Sequence, residues 1–229
     1  MTRRWAWAAV VLLAGCSDLT GSKGVVALEL RLPASPAVET DDTVTLHARA
    51  LNIDGDSVDV PVYWRSPDST LNIFDSTGRM TTSLSTGTGR VQAHVGTLYS
   101  DLSPAFTIRP RADTLVLLVP DTLTVLAADS ASGPLDAALQ TDSAAGIPGA
   151  SLLYEVVDTV AAAGKVHFAG GLLALRATTS TGGAPSPAVT LRKAAGATPP
   201  ATVQVRVSAT RPSGTPVPGS GQVFTLTFQ

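Results

Sequence analysis

Cysteine is almost missing from this 229-residue sequence, and charge is sparse. A single cysteine excludes an intramolecular disulfide framework and any zinc site built on several thiolates. Sixteen basic against eighteen acidic residues give a net charge of −2, so no basic excess favours a nucleic-acid partner. Hydrophobic residues nevertheless form 44% of the chain. That fraction excludes a disordered tail, because burying so much apolar surface offsets the entropy lost on folding.

Common catalytic motifs are absent as well. The sequence has no His-Glu-x-x-His metal motif, no Gly-x-Ser-x-Gly nucleophile elbow, no Gly-x-x-x-x-Gly-Lys phosphate loop and no Ser-x-x-Lys. The three histidines, His47, His94 and His167, are far apart in the sequence, and the first two fall on outward positions of predicted strands. We therefore expect a protein that is not an enzyme and that holds no cofactor.

The first residues have the layout of an export signal. Arg3 and Arg4 form a positive start, and residues 5–14 are an uncharged apolar run of ten residues. This run is too short for a helix that spans a bilayer core about 30 Å thick, which needs about 20 residues. We therefore interpret residues 1–15 as a secretory signal peptide.

The end of this segment, Leu13-Ala14-Gly15-Cys16, resembles the lipobox of bacterial lipoproteins. The resemblance implies cleavage before Cys16 and a diacylglyceryl group on its thiol, which makes the membrane a partner of the mature chain. Two or three acyl chains, as in this family, give the stable anchoring that one chain does not. Ser17 stands where an Asp retains enterobacterial lipoproteins at the inner membrane, so we expect the outer membrane. Residues 16–24 are predicted to be a lipidated, flexible tether.

The rest of the sequence is typical of β-strands. Residues 43–50 and 203–208 alternate apolar and polar side chains with period two, which indicates strands with one buried face. Turn signals such as Asp54-Gly55-Asp56 separate these runs. Short strands at spacings near ten residues favour an antiparallel sandwich, so the fold class is predicted to be all-β. A boundary near Pro110 would divide the mature chain into two domains, 25–110 and 111–229, each of ordinary sandwich size.

Residues 25–109 resemble a bacterial immunoglobulin-like domain of group 2, the kind repeated in intimin and invasin. The resemblance is carried by residues 26–33, residues 43–50, Asp54-Gly55-Asp56, Pro61-Val62-Tyr63-Trp64-Arg65-Ser66, Asp75-Ser76-Thr77-Gly78-Arg79 and residues 87–93. Trp64 alternates with Val62, so we expect it to fill the core between two sheets. Gly78 is predicted to supply the positive φ of a tight turn.

The second domain has a weaker resemblance of the same kind. Residues 142–154 are similar to one corner of the group-1 bacterial immunoglobulin-like domains. The resemblance implies a second immunoglobulin-like sandwich over residues 111–229. Residues 180–201 and 211–221 are rich in Gly, Pro, Ser and Thr, and are predicted to form long loops.

Two groups of residues are candidates for binding. Asp54, Asp56 and Asp59 place carboxylates in one loop, where they would suit calcium or, alternatively, form only a hairpin turn. Tyr63, Tyr99 and Tyr154 are candidate platforms for a sugar or a peptide, and Tyr63 is expected to face away from Trp64 and to be exposed.

Together these features predict a lipid-anchored cell-envelope protein, exposed in the periplasm or at the surface. It would act as a non-enzymatic binding, adhesion or structural spacer module, with an envelope protein or a glycan as its ligand. The alternative function is that of an accessory polysaccharide-binding pair of domains, stabilised by calcium. A nucleic-acid partner is not expected.

Overall fold

The computed structural model describes residues 24–33, 36–74 and 76–229. The predicted signal peptide, Cys16 and nearly all of the predicted tether lie outside the described residues, as does Asp75. The described residues form an almost entirely β structure, which confirms the predicted fold class. Within the described ranges, no helix is both long and apolar enough to cross a membrane.

Short strands fill the first part of the chain. They are β1 (Ala27–Arg31), β2 (Ala37–Glu39), β3 (Val44–Thr45), β4 (His47–Leu51), β5 (Ser57–Val58), β6 (Tyr63–Arg65), β7 (Asn72–Phe74), β8 (Arg79–Thr81), β9 (Gly87–Gly89), β10 (Gln92–Val95), β11 (Leu98–Tyr99) and β12 (Phe106–Arg109).

Longer strands follow, with two short helical turns between them. They are β13 (Thr114–Leu117), β14 (Thr122–Val125), β15 (Ala137–Gln140), β16 (Ser151–Val156), helix α1 (Thr159–Ala162), β17 (Val166–His167), a 3-10 turn (Ala169–Gly171), β18 (Ala174–Thr178), β19 (Arg192–Lys193), β20 (Thr202–Ala209) and β21 (Gln222–Phe228).

The described residues form two compact units. The first consists of the described residues up to Pro36 together with Thr45–Met80 and Gly89–Ala105, and the second of Ala37–Val44, Thr81–Thr88 and Phe106–Gln229. Each unit is thus assembled from several segments, whereas the sequence predicts one cut near Pro110. That boundary stays a prediction.

One arrangement of strands occurs twice along the chain. β1 pairs antiparallel with β4, whereas the next strand, β2, pairs parallel with β12. Further along, β13 pairs antiparallel with β15, and the next strand, β14, pairs parallel with β21. In each case the chain leaves one sheet and joins another between consecutive strands. Other neighbours, such as β10 with β6 and β20 with β16, pair antiparallel. This combination is the topology of an immunoglobulin-like sandwich.

The core of the second unit follows from the alternation in its longest strands. The sheet has the order β14-β21-β20-β16-β18. Val203, Val205 and Val207 of β20 are buried, as their period-two pattern predicts, and Phe224 and Leu226 of β21 are buried beside them. Because side chains alternate across a strand, one face of this sheet supplies a continuous apolar surface to the core of the unit. Leu115 of β13 and Leu139 of β15 belong to the same core.

Candidate functional site

The sheet β11-β10-β6 of the first unit separates a buried face from an exposed one. Its register places Ala93 opposite Trp64, and His94 opposite both Tyr63 and Tyr99. Successive side chains of a strand point to opposite faces. Trp64 and Ala93 are accordingly buried on one face, while Tyr63, His94 and Tyr99 form a row across the other.

The row is a continuous aromatic surface. The ring centroids of Tyr63 and His94 are 5.7 Å apart, and those of His94 and Tyr99 are 5.3 Å apart. These separations are within the range of favourable ring packing. Tyr63 is 37% exposed and Tyr99 is 44% exposed, whereas His94 between them is half-buried. Two accessible phenol rings thus flank one imidazole.

A cation and an amide lie beside this row. The Cζ atom of Arg65 is 4.2 Å from the centre of the Tyr99 ring, which is a cation–π contact. Arg65 donates from Nε and Nη2 to Oε1 of Gln92, at 2.9 and 2.6 Å, and Gln92 donates from Nε2 to the carbonyl oxygen of Ser100 at 2.6 Å. We name Tyr63, Arg65, Gln92, His94 and Tyr99 together the aromatic face.

Arg65 carries the positive charge of the aromatic face. The partners of Arg65 are the amide of Gln92 and the ring of Tyr99, both uncharged. Within residues 24–33, 36–74 and 76–229, no carboxylate pairs with Arg65. Arg90, two residues before Gln92, is by contrast held by Asp68 through a 3.0 Å ion pair. This contact raises the pKa of Arg90 and lowers that of Asp68.

Structural residues hold the aromatic face from beneath. A Cβ on Gly78, whose φ is +63°, would lie 2.8 Å from Nε1 of Trp64, so glycine allows the indole to sit against this turn. The buried hydroxyl of Ser100 accepts from the Ala93 amide at 3.1 Å and donates to the Asp101 carbonyl oxygen at 2.7 Å. These contacts fix the strands that carry the exposed rings.

The three calcium candidates lie in and after the turn between β4 and β5. Oδ1 of Asn52 accepts from the backbone amides of Asp54 and Asp56, at 3.0 and 2.8 Å. Gly55 has a φ of +83°. In the described part of the chain, no group of three or more His, Cys, Asp or Glu side chains is placed to hold a metal ion, so Asp54, Asp56 and Asp59 form no such group. The loop has the bonding of a hairpin turn closed by Asn52.

Tyr154 is not a binding platform, which corrects one expectation. It lies on β16 between Leu152 and Val156, and all three side chains are buried in the core of the second unit. Burial in this apolar surrounding raises the pKa of the Tyr154 hydroxyl. The period-two run Leu152, Tyr154, Val156 was the sequence signal for this burial.

A buried ion-pair cluster lies within the second unit. Glu39 is 1% exposed, and its Oε1 accepts from Nη2 of Arg109 at 2.9 Å. Its Oε2 accepts from the amide of Ala112 at 3.1 Å and lies 3.7 Å from Nε of Arg211. Arg211 in turn donates to the Ala112 carbonyl oxygen at 3.0 and 2.6 Å. Each charged group therefore has partners inside the protein, as a buried structural ion pair requires.

The histidines differ from the sequence expectation in one case. His47 is exposed on β4, in line with its predicted outward position. His94 also points outward, but the two tyrosines beside it leave it half-buried. Its role in the aromatic face depends on which strands pair, which no local pattern in the sequence reveals.

Comparison with known proteins leaves the family open. No family model matches the chain, and no curated protein matches it. Among solved structures, the D00-D0 domain of intimin is 13% identical over 87% of this chain and 96% of its own, with a TM-score of 0.31. The fibronectin(III)-like modules of Clostridium thermocellum CbhA are 11% identical over 88% of this chain and 94% of theirs, with a TM-score of 0.36. At such TM-scores the likeness carries no argument about function.

Proposed function

We propose that this chain is a lipid-anchored cell-envelope protein that acts as a non-enzymatic binding, adhesion or structural spacer module. The observation that carries the proposal is the sequence Leu13-Ala14-Gly15-Cys16, which puts the single cysteine directly after an export signal. Residues 1–15 are the signal peptide, residues 16–24 are the tether, and the following β-sandwiches project from the membrane. Ser17 after the cysteine favours the outer membrane.

Several buried polar side chains serve the fold. The hydroxyls of Ser103, Ser132 and Thr179 each bond to backbone amides and carbonyls of neighbouring segments. Glu39 is occupied by two arginines and a backbone amide. These groups satisfy the backbone at strand ends, which is what buried polar residues do in a stable fold.

Metabolic labelling with palmitate tests the proposal. Wild-type protein expressed in a bacterium with the lipoprotein pathway should incorporate label and partition into detergent, since two or three acyl chains bind membranes stably. Cys16→Ala should lose both properties, whereas the matched neighbour Ser17→Ala should keep the label. Equal labelling and partitioning of wild type and Cys16→Ala would contradict the proposal.

Polysaccharide binding is the second candidate function, and the aromatic face favours it. Tyr63 and Tyr99 present accessible rings beside the donors of Arg65 and Gln92. Rings that orient a ligand together with a few placed polar groups are typical of small-ligand sites. A glycan array probed with the purified protein tests this candidate, and a blank array would remove it.

A further inference from the structure

We propose that the aromatic face binds an acidic polysaccharide, with sugar rings stacked on Tyr63 and Tyr99 and a uronate carboxylate paired with Arg65. This inference rests on the proposed function as a binding module and names its ligand class. It uses a surface of the first unit where exposed rings, a cation and an amide converge on the same sheet face.

The dimensions of the aromatic face suit a glycan better than a protein. Three strands spaced about 4.8 Å apart place Tyr63 and Tyr99 about 10 Å from each other, and neighbouring residues on one face of a strand are about 7 Å apart. That area matches one or two sugar rings. A stable protein partner would need about 800 Å² on each side and an apolar centre. The five residues of the aromatic face are two Tyr, one His, one Arg and one Gln, and none of them is Val, Leu, Ile or Met.

The chemistry of the rings also fits a sugar. One face of a pyranose carries C–H groups, which pack against the electron-rich face of an aromatic ring. Phenol rings lose little conformational entropy on binding and keep a hydroxyl for hydrogen bonds. His94 packs against both phenol rings, and Arg65 lies over the ring of Tyr99. The sugar therefore packs against the parts of the Tyr63 and Tyr99 rings that stay exposed.

Arg65 selects for negative charge. Its guanidinium is fixed by the Tyr99 ring and by Oε1 of Gln92, and it lacks a carboxylate partner in the described residues. Guanidinium and carboxylate form two parallel, charge-assisted hydrogen bonds, which are stronger than those between neutral groups. Because Arg65 is already oriented, little side-chain entropy is lost when the ligand binds.

Affinity electrophoresis of the full chain in detergent tests the inference. The gels would contain polygalacturonate, the same polymer with its carboxylates methyl-esterified, or mannan. Esterification removes the charge but keeps the sugar ring, so the two polygalacturonate gels separate the contribution of Arg65 from that of the tyrosines. The variants are Arg65→Gln and Tyr99→Ala.

The first unit contains a matched control for both variants. Phe74 is another exposed ring, and the Cζ atom of Arg79 lies 5.7 Å from its centre. Phe74→Ala and Arg79→Gln therefore remove an exposed aromatic and its stacked arginine at a different place. Thermal melting identifies any variant that is destabilised. Arg65 is exposed, so Arg65→Gln still tests the inference if Tyr99→Ala melts early.

Wild-type protein should be retarded most by polygalacturonate. Arg65→Gln should bind that polymer about tenfold more weakly and the ester unchanged, and Tyr99→Ala should bind both about fivefold more weakly. The control variants should behave as wild type. Equal retardation by polymer and ester, an equal loss in Arg79→Gln, or no retardation at all would overturn the inference. None of these results would change the palmitate labelling of Cys16. The experiments therefore test glycan binding and lipid anchoring independently.

Discussion

A Cβ on Gly78 would lie 2.8 Å from Nε1 of Trp64 and 2.9 Å from the carbonyl oxygen of Leu46. Such distances are below van der Waals contact, and the φ of +63° already disfavours an L side chain. Gly78→Ala should therefore lower the free energy of unfolding by about 2–4 kcal/mol, through backbone strain and overpacking together. Urea unfolding followed by tryptophan fluorescence measures the change.

Gly55→Ala is the control for this substitution. Gly55 has a similar φ of +83°, but a Cβ there would meet nothing within 4 Å. Gly55→Ala should lower the free energy of unfolding by about 1 kcal/mol, because it adds backbone strain but no steric overlap. If the two alanine variants lost equal stability, the close approach of Trp64 would not explain the need for glycine at position 78.

The buried carboxylate of Glu39 should matter for stability. Glu39→Gln would leave Arg109 and Arg211, which are nearly buried, without their shared carboxylate. Breaking a buried pair in this way should cost about 3–5 kcal/mol, because an uncompensated charge stays inside the protein. Chemical unfolding of the variant measures the loss.

The exposed pair of Glu29 and Arg49 provides the comparison. Glu29→Gln should change stability by about 0–1 kcal/mol, since solvent screens the interaction. If Glu39→Gln lowered the free energy of unfolding as little as Glu29→Gln does, the buried cluster would contribute no more to stability than a surface ion pair.

Among the elements, β20 and β18 should differ in hydrogen exchange. Over residues 205–207, β20 pairs with both β21 and β16, so the amides there alternate between two partner strands. β18 pairs with β16 alone and, in the described part of the chain, forms the end of its sheet. The amides of residues 205–207 should be protected at every position, and those of β18 at alternate positions only. Uniform protection along β18 would mean that something covers its free edge.

Strand content was predictable from the sequence because it is a local property. The alternation of residues 203–207 correctly placed three valines inward. The same alternation in residues 43–50 puts Ala48 on the buried face with Val44 and Leu46, yet Ala48 is only partly buried. Period two distinguishes the two faces of a strand, but it does not say how deeply the covered face is buried.

Strand pairing was not predictable, because it depends on contacts between distant residues. The parallel pairing of β2 with β12, and the row of Tyr63, His94 and Tyr99, both follow from register. The sequence identifies Tyr63 and Tyr99 as candidate platforms, whereas the position of His94 between them and the orientation of Arg65 depend on the folded sheet. The buried Glu39 cluster joins residues 70 and more positions apart and had no sequence signal.

For the whole molecule, the proposed account combines three parts: a lipid on Cys16, a short tether and β-sandwiches with an exposed binding face. Anchoring matters for binding because tethered copies meet a polymeric ligand together. Several weak contacts on one polysaccharide then add up to a stable attachment. Membrane-bound wild-type protein should therefore retain polygalacturonate more strongly than the detergent-free Cys16→Ala form, which vesicle co-sedimentation measures. Equal retention by both forms would contradict a role for the anchor in binding.

Intact mass spectrometry of the protein purified from bacterial envelopes tests the central claim most directly. The account predicts a chain that begins at Cys16 and carries a diacylglyceryl group on the thiol. A chain that keeps residues 1–15, or a mature chain with an unmodified thiol on Cys16, would contradict it.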